Sequence, residues 1–142
     1  MKNRPAIYIV TVFLVAVILL VVFDVVANQM AGFRIETDRD TCFVGEKVTA
    51  FIVSFNDLPF PVPRSAITGV EFGCTLNGEQ LGTVYSAWLT PAGGMYLMPS
   101  GSEVWLDPIT VTPRVNGTLV FTARIDMEHL ITYEKQVLVI PK

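Results

Sequence analysis

Histidine occurs once in the 142 residues, at His129, and cysteine only twice, at Cys42 and Cys74. A zinc or copper centre draws three or four ligands from His, Cys and carboxylates, at spacings such as CxxC or HxxxH, and the sequence offers no such cluster. A blue-copper site needs two His and one Cys, which argues against an electron-transferring cupredoxin. A Ser-His-Asp or Cys-His arrangement would rest on His129 alone, with no GxSxG step to present a nucleophile. His129 therefore reads as a turn residue. Neither GxGxxG nor a Walker A sequence is present. The expectation is a protein that is not an enzyme and holds no cofactor or metal.

Charge is also scarce, at 16% of residues against 51% hydrophobic, and the shortage is local. From Ala6 to Phe23, "AIYIVTVFLVAVILLVVF", there is none, and three apolar residues follow Asp24. As a helix, residues 6–27 span about 33 Å, against a hydrocarbon layer of about 30 Å. This stretch is expected to be a transmembrane signal anchor, with residues 1–5 as a cytoplasmic tail and residues 28–142 as one extracytoplasmic domain. Lys2 and Arg4 on the short side set that orientation by the positive-inside rule. The competing reading is a cleaved secretory signal, with Val25-Val26-Ala27 before the cut; 18 uncharged residues are long for one. Asp24, near the outer end, reads as a solvated interfacial carboxylate rather than a buried relay.

Beyond the anchor, 8 Lys and Arg face 12 Asp and Glu, a net charge of −4 with no basic run, so a nucleic-acid partner is not expected. In an oxidising exterior, Cys42 and Cys74 suggest one disulfide; the alternative is two buried thiols. Asn116-Gly117-Thr118 is an N-glycosylation sequon on the exported side. Asp38, Asp40 and Glu46 lie near one another, but their spacing fits no EF-hand, and a solvated acidic loop is the simpler reading.

The exported part reads as strands. Phe33, Ile35 and Thr37 alternate with Arg34, Glu36 and Asp38; "EKVTAFIVSF" (46–55) is rich in β-branched and aromatic residues. Val70, Phe72, Cys74 and Leu76 alternate with polar or small residues up to Asn77-Gly78, a hairpin turn returning into "QLGTVYSA". "SEVWLDPITVTP" is expected to turn at Asn116-Gly117, as a second hairpin, into "TLVFTARID". "ITYEKQVLVI" (131–140) closes the set. About seven strands predict an all-β fold, an immunoglobulin-like β-sandwich.

"FVGEKVTAFIVSFND" resembles the opening of Ig-like domains of the cell-adhesion-related type in bacterial and archaeal surface proteins, where a VGE-x-VT step leads into the second strand. The layout of one N-terminal anchor and one small sandwich is similar to that of archaellum stator subunits. The resemblance implies an Ig-like fold and carries no catalytic or binding residue. The antibody-type disulfide framework is absent, because Cys42 precedes the second strand and Cys74 lies in the third.

Two connections are unusual. "FNDLPFPVPRS" (55–65) places Pro59, Pro61 and Pro63 around Phe60, which predicts a stiff extended path, either a rigid crossover between sheets or a contact segment. "SAWLTPAGGMYLMPSG" (86–101) has loop residues and six large apolar ones: Trp88, Leu89, Met95, Tyr96, Leu97 and Met98. Either these seal one end of the sandwich as a lid, or they project as a finger toward a protein partner or the membrane. The finger is the expected form, with these six and Phe60 as partner-binding residues. The resulting expectation is a non-catalytic, membrane-anchored adaptor or accessory subunit that docks onto another envelope or membrane-complex protein. The alternative is a ligand-binding or sensory ectodomain acting through a partner.

Overall fold

A computed structural model describes residues 4–87 and 95–142. Among the described residues there is one helix, α1 (Arg4–Met30), uncharged from Ala6 to Phe23 and with no polar face along that run. It is long and apolar enough to cross a membrane, and lies near the N-terminus, where a signal sequence would pass the same test. It passes directly into β1 (Ala31–Thr37), followed by β2 (Thr41–Phe43), β3 (Val48–Asn56), β4 (Val62–Arg64), β5 (Gly69–Leu76), β6 (Glu79–Ala87), β7 (Tyr96–Met98), β8 (Gly101–Val111), β9 (Gly117–Asp126) and β10 (Leu130–Ile140).

The strands form a β-sandwich. One sheet has the order β1-β3-β8, the other β2-β10-β9-β5-β6, and β4 and β7 pair as a separate two-stranded ribbon. The N-terminal stretch is divided between the sheets: β1 runs antiparallel to β3, and after a bend at residues 38–40, β2 runs parallel to β10. Period-2 alternation puts Leu119, Phe121, Ala123 and Ile125 of β9 in the core with Val70, Phe72, Cys74 and Leu76 of β5. Phe33, Ile35, Val48, Ala50 and Ile52 answer from the smaller sheet.

All seven expected strands are present, and the β5–β6 turn at Asn77-Gly78 has positive φ at both residues, 51° and 86°, the type I′ geometry of a two-residue hairpin. Three-residue strands β2, β4 and β7 are additional. They are too short for periodicity to register. The second hairpin is not formed. β8 belongs to the small sheet and β9 to the large one, so residues 112–116 cross between sheets. Gly117 is needed there because its φ is 150°, a conformation side chains rarely adopt, and a Cβ would also run into the Asn77 side chain. Asn77 accepts from the Thr118 amide (3.2 Å) and donates to the Asn116 carbonyl (3.1 Å), tying this crossover to the hairpin.

The expected disulfide is not formed either; Cys42 and Cys74 are buried free thiols. Sheet order explains why. β10 and β9 stand between β2 and β5, three strand spacings or about 14 Å. Along β9 the two positions are also offset, because Cys42 lines up through Val139 with Gly117 whereas Cys74 faces Phe121. A bridge needs Cα atoms within about 7 Å. Burial pushes the Cys74 thiol up to about 12, and burial with the nearby Glu46 raises Cys42. Both thiols are therefore expected to resist alkylation on the folded chain at about pH 8, and both to react after unreduced denaturation. An unfolded chain that takes up no alkyl group would instead mean a bridge.

Candidate functional site

The two unusual connections meet. β4, from the proline-rich segment, pairs antiparallel with β7, with Val62 opposite Met98, Pro63 opposite Leu97 and Arg64 opposite Tyr96. The proline segment is thus the crossover from β3 in one sheet to β5 in the other. The ribbon stands at the end of the sandwich where α1 enters, because the ladder aligns Ala31 with Asn56 and Asn56 with Gly101. The β9–β10 loop is at the same end, and so is the close of β6, where Ala87 faces Gly69.

Asn56 organises this end. Its side chain is 1% exposed, donates to the carbonyls of Phe60 (2.9 Å) and Met98 (3.1 Å), and accepts from the Leu58 amide (3.0 Å). Ser100 adds a bond to the Leu58 carbonyl at 2.6 Å. One buried amide thereby fixes the proline loop and β7 against each other. Chains that bend sharply leave main-chain groups unpaired, and a side-chain amide with both donor and acceptor can satisfy them.

Arg64 joins the ribbon to the helix. Its guanidinium donates to the Ala27 carbonyl (2.8 Å), to the Ala31 carbonyl and to the Asn28 side-chain oxygen. The last turn of a helix exposes carbonyls without intrahelical partners and carries partial negative charge, so a forked cation is well suited to it. The Met30 carbonyl accepts from the Asp57 amide at 2.8 Å. On the same helix face, Ala27 is buried and the Phe23 ring stacks on Phe60 with centroids 6.0 Å apart. A cleft beside Arg64 is bordered by Asp24, Asn28, Glu128 and His129, and a second, more apolar one by Phe33, Phe55 and Tyr133. Burial raises the Tyr133 phenol, against the smaller opposing pull of the Phe33 backbone and the Arg64 charge.

The expected partner-binding residues separate on this scaffold. Met98 is in the domain's own core, 1% exposed, and this corrects its place on a contact surface. Tyr96 packs edge-on against Trp105 (5.4 Å), which in turn meets Phe33 (5.1 Å), while Trp105 donates to the buried Ser54 hydroxyl at 3.0 Å. Alternation along so short a strand sends Leu97 outward, 61% exposed, and Met95 just before it is 77% exposed. Phe60 is partly covered by the helix and otherwise open. Trp88 and Leu89 lie outside the described residues. Asn116 is exposed at the far end of the sandwich.

The acidic bend is internally engaged. Asp38 accepts from the Thr49 amide (3.0 Å), Glu46 from the Phe43 amide (3.0 Å) and from Arg39 (3.3 Å), and Asp40 pairs with Lys135 at 2.7 Å. Sequence patterning missed Arg64 and Asn56 as organising residues. Their partners lie up to 42 positions away, and no local spacing signals a helix cap supplied from another segment.

No family model matches the chain, and no curated protein matches its sequence. Solved structures share its outline at low identity. The CARDB domain of a Pyrococcus furiosus protein, determined in complex with di-metal ions, is 15% identical over 80% of this chain and 96% of that one, with a TM-score of 0.44. A superoxide reductase (neelaredoxin) from Ignicoccus hospitalis is 14% identical over 78% and 82%, with a TM-score of 0.45. Red sea bream transglutaminase is 20% identical over 78% of this chain and 15% of its own, with a TM-score of 0.45. The strand pairings define the fold as a β-sandwich.

Proposed function

We propose that this chain is a non-catalytic adaptor, anchored by α1 with its N-terminus in the cytoplasm, whose extracytoplasmic sandwich docks onto another protein of the envelope or of a membrane complex. The observation that carries this reading is the outward face of the β4–β7 ribbon. Met95, Leu97 and Pro63 are exposed there on a backbone held from behind by Asn56, Tyr96 and Met98. Exposed apolar groups on a rigid support lose little conformational entropy on association, and Met suits interface cores. Trp88 and Leu89 are assigned to the same contact from sequence alone. Asn116, at the opposite end, would carry a glycan clear of that contact.

A photocrosslinking residue at position 97 tests this in native membranes, with position 115 on the far crossover as control. The expected result is one discrete adduct from position 97, none from 115, and loss of the adduct's partner from mild-detergent preparations of Leu97→Asp. That variant should fold with stability within about 0.5 kcal/mol of the parent, since the side chain is on the surface. Equal recovery of the partner with Leu97→Asp would overturn the docking face.

A further inference from the structure

The helix and the loop beneath the ribbon place a second part of the chain at membrane depth. Ala6–Phe23 is the uncharged run, about 27 Å of helix against a hydrocarbon layer of about 30 Å, so Phe23 sits at its outer edge. From Phe23 to the helix end at Met30 is about 10 Å. Phe60 stacks on Phe23, not on the end of the helix, so the loop reaches back along α1 to the depth of the last apolar turn. Ala27 is already enclosed by the domain at 3% exposure. The sandwich cannot stand clear of the headgroup layer, which occupies only the outer 5–7 Å or so on each side.

The loop's composition fits that depth. Pro59, Phe60 and Pro61 are exposed in succession, and the Phe60 and Leu58 carbonyls are satisfied by Asn56 and Ser100. Proline has no amide hydrogen to leave unpaired in an apolar setting, and aromatic rings favour the interfacial zone. Arg64, at the base of the ribbon, is occupied by helix carbonyls, so the exposed loop itself is apolar and offers no charge to anionic headgroups. We propose that the loop Pro59–Pro61 is a lipid-immersed second anchor, with Phe60 entering the headgroup–acyl boundary beside α1. This rests on the reading of α1 as an uncleaved membrane span. Two points of attachment, one helical and one at the loop, would fix the tilt of the sandwich and hold the Met95–Leu97 face at a set height.

Spin labels on the full chain in phosphatidylcholine nanodiscs test it, placed singly through Phe60→Cys, Leu19→Cys and Val115→Cys; the two native thiols are buried and remain. Relaxation by oxygen and by a water-soluble nickel chelate reports depth. The expected result is that position 60 is relaxed more by oxygen than by nickel, as position 19 is, while position 115 shows the reverse. Pro61→Cys repeats the measurement beside it. Nickel-dominated relaxation at 60 with oxygen-dominated relaxation at 19 would overturn the immersed loop and leave the anchor standing. Shielding of 60 from both reagents would overturn it in favour of a protein contact. Nickel access at 19 would remove the membrane span, and the loop anchor with it.

Discussion

Asn56→Leu is expected to cost about 3–5 kcal/mol of folding stability, because an apolar side chain of similar size leaves the Phe60 and Met98 carbonyls and the Leu58 amide without partners. For a domain of this size that lowers Tm by about 12–20 °C. The loss should be uneven. Amide exchange should rise most in residues 57–64 and 96–100, and least in β5 and β9 at the centre of the large sheet. Asn56→Asp makes a sharper test. Its carboxylate still accepts from Leu58 but faces two carbonyl oxygens, which raises its pKa above the ordinary value of about 3.9. A raised folded-state pKa favours folding below the unfolded value, an advantage lost as pH rises. The variant should therefore be less impaired near pH 4 than near pH 8. A uniform loss across the domain, or an Asp variant indifferent to pH, would mean that Asn56 does not hold these segments.

The strands that sequence made legible are those long enough to show alternation on a half-buried face, such as Val70–Leu76 and Leu119–Ile125. Asn77-Gly78 identified its hairpin because a type I′ turn demands positive φ twice, and few residue pairs allow it. Asn116-Gly117 has the same composition and a different outcome. There Gly117 has a φ of 150° and lies against the Asn77 side chain, so a glycine that serves a crossover between sheets imitated a glycine of a two-residue turn. The cysteine pair failed for a related reason: separation along the chain says nothing about strand order. At the helix end, sequence marked both odd segments by their prolines and exposed-looking apolar groups. It did not show that they pair with each other, since a three-residue ribbon is specified by its contacts and not by its own pattern. Their two fates, Met98 inward and Leu97 outward, follow from that pairing.

Arg64 is expected to be a main tie that holds the helix and sandwich as one body. Arg64→Met keeps much of the side chain's apolar length and removes its donors to the Ala27 and Ala31 carbonyls and the Asn28 side chain. Hydrogen bonds from a charged donor are worth about 1.5–3 kcal/mol each in favourable cases, and a cation at a helix C-terminus adds up to about 1 kcal/mol when partly exposed. Because Arg64 is only half-buried, the expected net loss is about 2–3 kcal/mol, confined to the junction. The core packing of β5, β9 and β10 does not involve it, so the sandwich should still fold. Spin labels at positions 19 and 115 should give a narrow distance distribution in the parent and a broad one in Arg64→Met, with new protease cleavage within residues 28–32. Arg64→Lys retains the charge but not the planar fork, and should fall between the two. The Tyr133 phenol supplies an independent signature: losing the Arg64 charge removes a pull downward, so it should titrate higher in Arg64→Met than in the parent. An unchanged distance distribution with an unchanged Tyr133 titration would show that the continuous backbone from Met30 into Ala31, with Phe23 on Phe60, is enough to hold the domain upright on its helix.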